Sequence, residues 1–137
     1  MIKDTIAKKS KIEGKGVFAG RNFKKGEIVI KWDISHQLTL GEIKNLPEAQ
    51  KRYIVHLERK HILLQSPAKY VNHSCDANTH AGNFCDIAVR DIKKSEEITA
   101  NYSETMGPKE FLRCNCGSKK CRGVIKSILS QSPSSQI

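Results

Sequence analysis

Apolar residues along this chain recur in short runs or at period two, and seldom at a helical period. Gly16-Val17-Phe18-Ala19 is one such run. After the turn Lys24-Lys25-Gly26, the segment Glu27–Trp32 puts Ile28, Ile30 and Trp32 on one face of a predicted strand. His61–Leu64 reads as a buried strand ended by Ser66-Pro67, and Asp86–Arg90 as another. Glu97–Tyr102, after the turn Lys93-Lys94-Ser95, reads as strand or extended chain. Helix is expected at two places. Thr39-Leu40-Gly41-Glu42 has the form of a capping box. Leu46-Pro47-Glu48 opens a second helix with Tyr53, Ile54 and Leu57 as its periodic apolar positions. Tyr70–Asn78 mixes apolar and polar residues at neither period. Many short strands and little helix predict a mainly β fold.

Composition narrows the class. A chain of 137 residues is the size of one ordinary domain and can bury a real core. Hydrophobic residues at 38% and charged residues at 28% fit a globular protein rather than a disordered one. No apolar run approaches the roughly 20 residues that span a bilayer, so no membrane partner is expected. The start, Met1-Ile2-Lys3-Asp4, does not read as a secretory signal, and an intracellular protein is expected, with the compartment open. The formal charge of +10 fits a nucleic-acid partner, and it fits a lysine-rich soluble surface as well, because the lysines are scattered.

Five cysteines, an odd number, argue against a disulfide framework. Cys114, Cys116 and Cys121 lie within eight residues, interrupted by glycine and lysine, and read as metal ligands. A structural zinc takes four ligands. Cys85, at the start of a strand, reads as a small buried thiol. Cys75, which ends the unusual Asn-His-Ser-Cys segment, is the expected fourth ligand.

Four blocks in order resemble the SET-domain lysine methyltransferases over roughly residues 8–125. They are Gly14-Lys15-Gly16-Val17-Phe18-Ala19 with Phe23–Ile28, Asn72-His73-Ser74-Cys75-Asp76-Ala77-Asn78, Ile92–Tyr102, and the post-SET signature Cys114-x-Cys116-Gly117-x3-Cys121-Arg122-Gly123. The resemblance implies a β-clip-like fold of small sheets with a pseudoknot-like threaded C-terminal segment. It divides the chain into a SET domain at 1–107, a post-SET zinc segment at 108–126 and a tail at 127–137.

Through that resemblance, S-adenosylmethionine is the expected methyl donor and a protein lysine the acceptor, on a histone or histone-like protein, a ribosomal protein or a translation factor, among which the sequence does not choose. The backbone of Lys15 and Gly16 matches the part that holds the donor's methionine end. Asn72 and His73 match the pair that holds its amino group and adenine, and Tyr70 an aromatic beside it. Tyr102 matches the catalytic tyrosine. Phe111, Leu112 and Arg113 are candidates to touch adenine or substrate. The zinc is expected to be structural, since four thiolates leave no open coordination position.

The match has departures. Ala100 stands where the family often has an aromatic that limits methylation, so di- or trimethylation is expected. The family commonly has a tyrosine near the end of the early strand; Trp32 is the nearest aromatic here, with its role open. Residues 33–69 carry few family features. A basic protein acting on a basic tail needs a locally acidic groove, for which Asp33, Glu96, Glu104 and Glu110 are candidates, or a separate nucleic-acid surface. The competing reading is a catalytically silent SET-like module that binds nucleic acid or protein.

Overall fold

A computed structural model describes residues 4–107, 111–114 and 118–127, without the side chains of Phe111 and Leu112. The chain runs β1 (Thr5–Lys9), β2 (Lys15–Ala19), β3 (Ile28–Lys31), α1 (Leu40–Lys44), α2 (Glu48–Lys51), β4 (Ile54–Leu57) and β5 (Lys60–Leu63). A single 3₁₀ turn, Ala68–Tyr70, leads into β6 (Asn72–His73), β7 (Thr79–Gly82), β8 (Cys85–Ala88) and β9 (Glu97–Ala100). A second 3₁₀ turn, Tyr102–Glu104, is followed by β10 (Phe111–Arg113) and β11 (Val124–Lys126). The fold is mainly β, as the pattern predicts.

The strands form small sheets in the orders β1-β2-β9-β6, β3-β8-β7, β4-β5 and β10-β11. β9 comes late in the sequence yet lies between β2 and β6, antiparallel to the first and parallel to the second. Asn72 faces Thr99 and His73 faces Ala100 across the parallel pair. That insertion brings three distant segments to one place. Val17, Phe23, Ile62, Ile92 and Ile98 are almost wholly buried and form the centre of the core.

Several elements differ from the sequence reading. The expected alternation in β3 fails because a bulge falls between Ile28 and Ile30 in the pairing with β8. Val29 and Ile30 are therefore both buried and Ile28 is exposed, while Trp32 stays buried. The second helix has four residues and buries none of them. Ile54 and Val55 are buried in β4 instead, paired with Leu63 and Ile62 of β5 through a turn at Glu58-Arg59, both at positive φ. β-branched neighbours gain more from that pairing than from extending a short helix. The capping box is present: Thr39 Oγ1 accepts from Glu42 N–H and Glu42 Oε1 accepts from Thr39 N–H. Ser127, which the sequence reading puts in the tail, is fully buried and donates to the Met106 carbonyl. No helix among the described residues is long and apolar enough to cross a membrane.

Two polar side chains are buried among these strands. Asn78 is 2% exposed. Its Nδ2 donates to Glu97 O and Glu96 Oε2, and its Oδ1 accepts from Thr99 N–H. This side chain fastens the end of the irregular segment to β9. Asp86, on β8, accepts a hydrogen bond from Trp32 Nε1 at 3.1 Å. Burial pushes its carboxyl up to about 7, with Trp32 opposing and Glu104 adding to the rise.

Both observations give expected outcomes. Asn78→Ala removes these hydrogen bonds and leaves buried partners, so it should destabilise the fold by about 2–3 kcal/mol in urea unfolding. Asp86 keeps a proton in the folded state that the unfolded chain releases near pH 4. Its contribution is full below pH 4 and is lost as pH rises through 7, by about 4 kcal/mol. Asp86→Asn should therefore be more stable than the parent at pH 8, and the advantage should shrink steadily in unfolding curves taken toward pH 4.

Candidate active site

The loop between β1 and β2 is shaped by two glycines for different reasons. Gly14 has φ +43, a left-handed turn with open space where a Cβ would stand. Gly16 has no such angle. A Cβ there would overlap the Glu97 carboxylate and crowd Ser10 and Asn72 Nδ2. Glu97 accepts from Ser10 Oγ at 2.7 Å and from Asn72 Nδ2 at 3.1 Å. Asn72 Nδ2 also reaches the carbonyls of Glu13 and Lys15, at 3.0 and 3.3 Å. The buried Asn72 thus holds the Gly14–Gly16 loop against β9 and β6.

Two cavities meet beside this loop. The smaller, about 130 Å³, is bordered by Gly14, Lys15, Tyr70, Asn72 and Tyr102. The larger, about 640 Å³, is bordered by Trp32, Asp86, Ala100, Tyr102 and Glu104 among others. Tyr102 borders both, as do Tyr53 and Arg52. Tyr102 Oη donates to the Val71 carbonyl at 2.5 Å. Burial raises its hydroxyl pKa; Glu13, Asp86 and Tyr53 push the same way, and Arg52 opposes. The phenol stays neutral, with lone pairs left to accept a further hydrogen bond.

His73 does not border the smaller cavity. Its Nδ1 accepts from Tyr102 N–H at 3.0 Å, and its Nε2 lies 3.4 Å from Cys75 Sγ. Burial, helped by Arg122, lowers its pKa to about 4, so the ring is neutral. With Nδ1 accepting, the proton sits on Nε2 and points at the sulfur. Cys75 Sγ also receives Arg122 N–H at 3.2 Å and lies 3.7 Å from Cys114 Sγ. Thiolates on a tetrahedral zinc, at about 2.3 Å from the metal, are about 3.8 Å apart, so this pair has the right spacing. His73, Cys75 and Cys114 are the described residues close enough together to share an ion. Cys121 stands outside that group, exposed, with its thiol toward the Cys114 carbonyl at 3.8 Å. Cys116 lies outside the described residues. Cys85 is a buried thiol, as expected.

The structure thus brings Lys15, Tyr70, Asn72 and Tyr102 to one cavity, sets Gly16 behind them, and turns His73 toward Cys75 and Cys114. Lys15 is itself exposed, with Nζ over the Tyr70 ring at 4.9 Å. Of the acids proposed for the groove, Glu104 borders the larger cavity and holds Ala81 N–H at 3.1 Å. Asp33 is exposed and occupied with Ser35, and Glu96 faces Asn78 and Lys93. Glu110 lies outside the described residues. The sequence reading passed over Tyr53, Asp86 and Asn78. Tyr53 carried a helical signal that proved false, and Asp86 sat in an apolar run as its one acid, a cue that could have been followed.

Known proteins with the same sequence features have recognisable names. The chain is 27% identical over 154 residues to "Histone-lysine N-methyltransferase TRX1" of Oryza sativa subsp. japonica, covering 94% of this chain and 14% of that protein. It is 28% identical over 131 residues to human "Histone-lysine N-methyltransferase 2D", covering 83% of this chain and 2% of the relative. Over 85 residues it is 31% identical to "Histone-lysine N-methyltransferase, H3 lysine-9 specific dim-5" of Neurospora crassa, covering 45% of this chain and 26% of that protein. The chain therefore spans only a small part of these relatives. The SET domain family matches residues 14–103, which supply most of the residues lining both cavities, and on that match the chain belongs to the SET-domain family.

Proposed function

We propose that the protein transfers methyl groups from S-adenosylmethionine to a lysine side chain of another protein, with histones and histone-like proteins as the first candidates. The observation that carries this reading is the position of Tyr102 at the junction of two cavities. Methyl transfer is an in-line displacement and needs the donor and the acceptor to meet at one point from opposite sides. The smaller cavity, at about 130 Å³, is below the 300–1,000 Å³ typical of ligand pockets. It is suited to the methionine end of the cofactor, with the Lys15 and Gly16 backbone, Tyr70 and Asn72 around it. His73 supports this wall from behind through Tyr102 N–H. The larger cavity takes the acceptor lysine.

The cofactor supplies a methyl group on a cationic sulfur. The residues supply orientation and dryness. A lysine ammonium in water loses its proton with a pKa of about 10.4, so holding it neutral near pH 7.4 costs about 4 kcal/mol there. Burial and the nearby sulfonium charge both lower that cost. Tyr102, neutral and anchored on Val71 O, can accept from the attacking amine without removing its proton. Ala100, beside Tyr102, leaves room for an amine that already carries methyl groups.

Zinc is proposed as structural, on Cys75, Cys114, Cys116 and Cys121. The Cys75–Cys114 spacing supports it, and the His73 tautomer makes that residue a hydrogen-bond donor to the Cys75 sulfur rather than a ligand. Such outer partners orient ligands. A nucleic-acid partner held by the +10 charge, and an intracellular, nuclear or nucleoid setting, are consistent with histones as the candidate substrate.

Tyr102→Phe should lower the methyl-transfer rate on core histones by about 100-fold while calorimetry finds S-adenosylmethionine affinity within a few-fold of the parent. Unchanged turnover would contradict the assignment, and a parent chain that binds no S-adenosylmethionine would favour the silent module. Mass spectrometry of product made with excess cofactor should find di- or trimethyllysine, and Ala100→Phe should shift it to monomethyllysine. Purified protein should contain one zinc per chain by elemental analysis, and Cys75→Ser should lose it.

A further inference from the structure

The larger cavity has one wall that is unlike its surroundings. Asp86 is 4% exposed and Trp32 is 6% exposed, yet both border the cavity. Trp32 Nε1 donates to Asp86 Oδ2 at 3.1 Å. Among the described residues, no group donates to Oδ1. Ala81 of β7 pairs with Asp86, and the Ala81 N–H holds Glu104 Oε1 at 3.1 Å. A second carboxylate is thereby fixed on the same wall. Neither acid has an ion-pair partner among the described residues.

The remaining charges at this cavity are arranged differently. Glu13 pairs with Arg52 at 3.2 Å and Glu48 with Lys51 at 2.7 Å, so these four lining charges neutralise one another. Lys69 lies over the Tyr53 and Tyr70 rings. A chain of formal charge +10 therefore turns toward this cavity two carboxyl groups that have no ion-pair partner among the described residues. Such burial is costly, and an apolar residue at 86 would pack at less cost. A group kept against stability at a cavity wall marks a site of recognition.

We propose that Asp86, held by the Trp32 indole N–H, recognises the cationic end of the acceptor side chain in the larger cavity and so sets the preference for lysine. This deepens, and rests on, the methyltransferase reading above. An alkylammonium entering the cavity gives up water for charge-assisted hydrogen bonds to Oδ1. It also cancels a buried charge, with Glu104 adding to the field. Capture precedes chemistry: the ammonium then gives its proton to solvent water before it attacks, a loss that desolvation and the donor's sulfonium favour and that the Asp86 carboxylate opposes. The groups facing Asp86 are the Trp32 N–H beyond β3, Ala81 on β7, and the Tyr102 hydroxyl and Glu104 carboxylate on the 102–104 turn. His80 of β7 lies on the other face, with Ile87. Because Asp86 ionises only as pH rises through about 7, cation preference should be strong at pH 8 and weak at pH 6.

Trp32 is the chain's only tryptophan, so its fluorescence reports on this wall alone. The test titrates the unmodified protein with n-butylammonium chloride and with 1-butanol, at constant ionic strength. At pH 8, n-butylammonium should change the Trp32 emission saturably, at about 10-fold lower concentration than 1-butanol. The preference should fall toward parity at pH 6, and be lost at pH 8 in Asp86→Asn with its thermal transition intact. Equal responses to the two probes at pH 8 would overturn the proposal. So would a full preference surviving in Asp86→Asn, or a loss confined to Glu104→Gln. If Asp86→Asn does not fold, the two probes and the pH comparison on the parent chain decide. Neither cofactor nor turnover enters this titration. A failure here thus leaves the methyl-transfer assay standing, and a failure there leaves this result readable.

Discussion

The site depends on one parallel contact, in which β6 lies beside β9 and Asn78 fastens the end of the same segment to Thr99. Two residues of parallel pairing would not hold by themselves. The side chains make up the difference. Asn78 binds Glu96, Glu97 and Thr99, and Asn72 binds Glu97 and the Gly14–Gly16 loop. Glu97 in turn takes Ser10 from the end of β1. Segments around residues 10–16, 72–78 and 96–102 thus share one buried hydrogen-bond network. Gly16 is required because any side chain there would push into that network. The smaller cavity lies where the first two of these segments meet Tyr102.

The same packing sets the electrostatics. Tyr102 follows β9 directly, so fixing β9 fixes its hydroxyl on Val71 O and its N–H on His73. Burial keeps the phenol protonated and the imidazole neutral. These two side chains are then uncharged near pH 7. The cavity's charge lies farther along, on Asp86 and Glu104. Four other charged residues of the larger cavity neutralise one another in the pairs Glu13–Arg52 and Glu48–Lys51.

Much of this was legible in the residues, for physical reasons that differ by position. β2, β5, β8 and β9 announced themselves because short apolar runs pack in these small sheets, and Thr39 and Glu42 announced a helix start by local hydrogen bonding. The four ordered blocks pointed to Lys15, Tyr70, Asn72 and Tyr102, which one cavity brings together. Three features were not legible. A bulge is a register event, invisible in β3 itself because the partner strand decides it. Tyr53-Ile54-Val55 fits a helical period as well as a strand, and only the pairing with Ile62 and Leu63 separates the two. The role of Trp32 depends on Asp86, more than fifty residues away, and no local pattern carries such a contact. His73 is the subtle case: the block containing it was recognised, but its ring faces Tyr102 N–H and Cys75 rather than the cavity.

In the proposed reaction a sulfonium methyl and a lysine amine come together at Tyr102. The most direct measurement is labelled methyl transfer from S-adenosylmethionine to core histones and to whole-cell extract, followed by mass mapping of the product. Label is expected on lysine Nε atoms, dependent on Tyr102. Label on any other residue type, or no transfer by a folded chain that binds the cofactor, would contradict it.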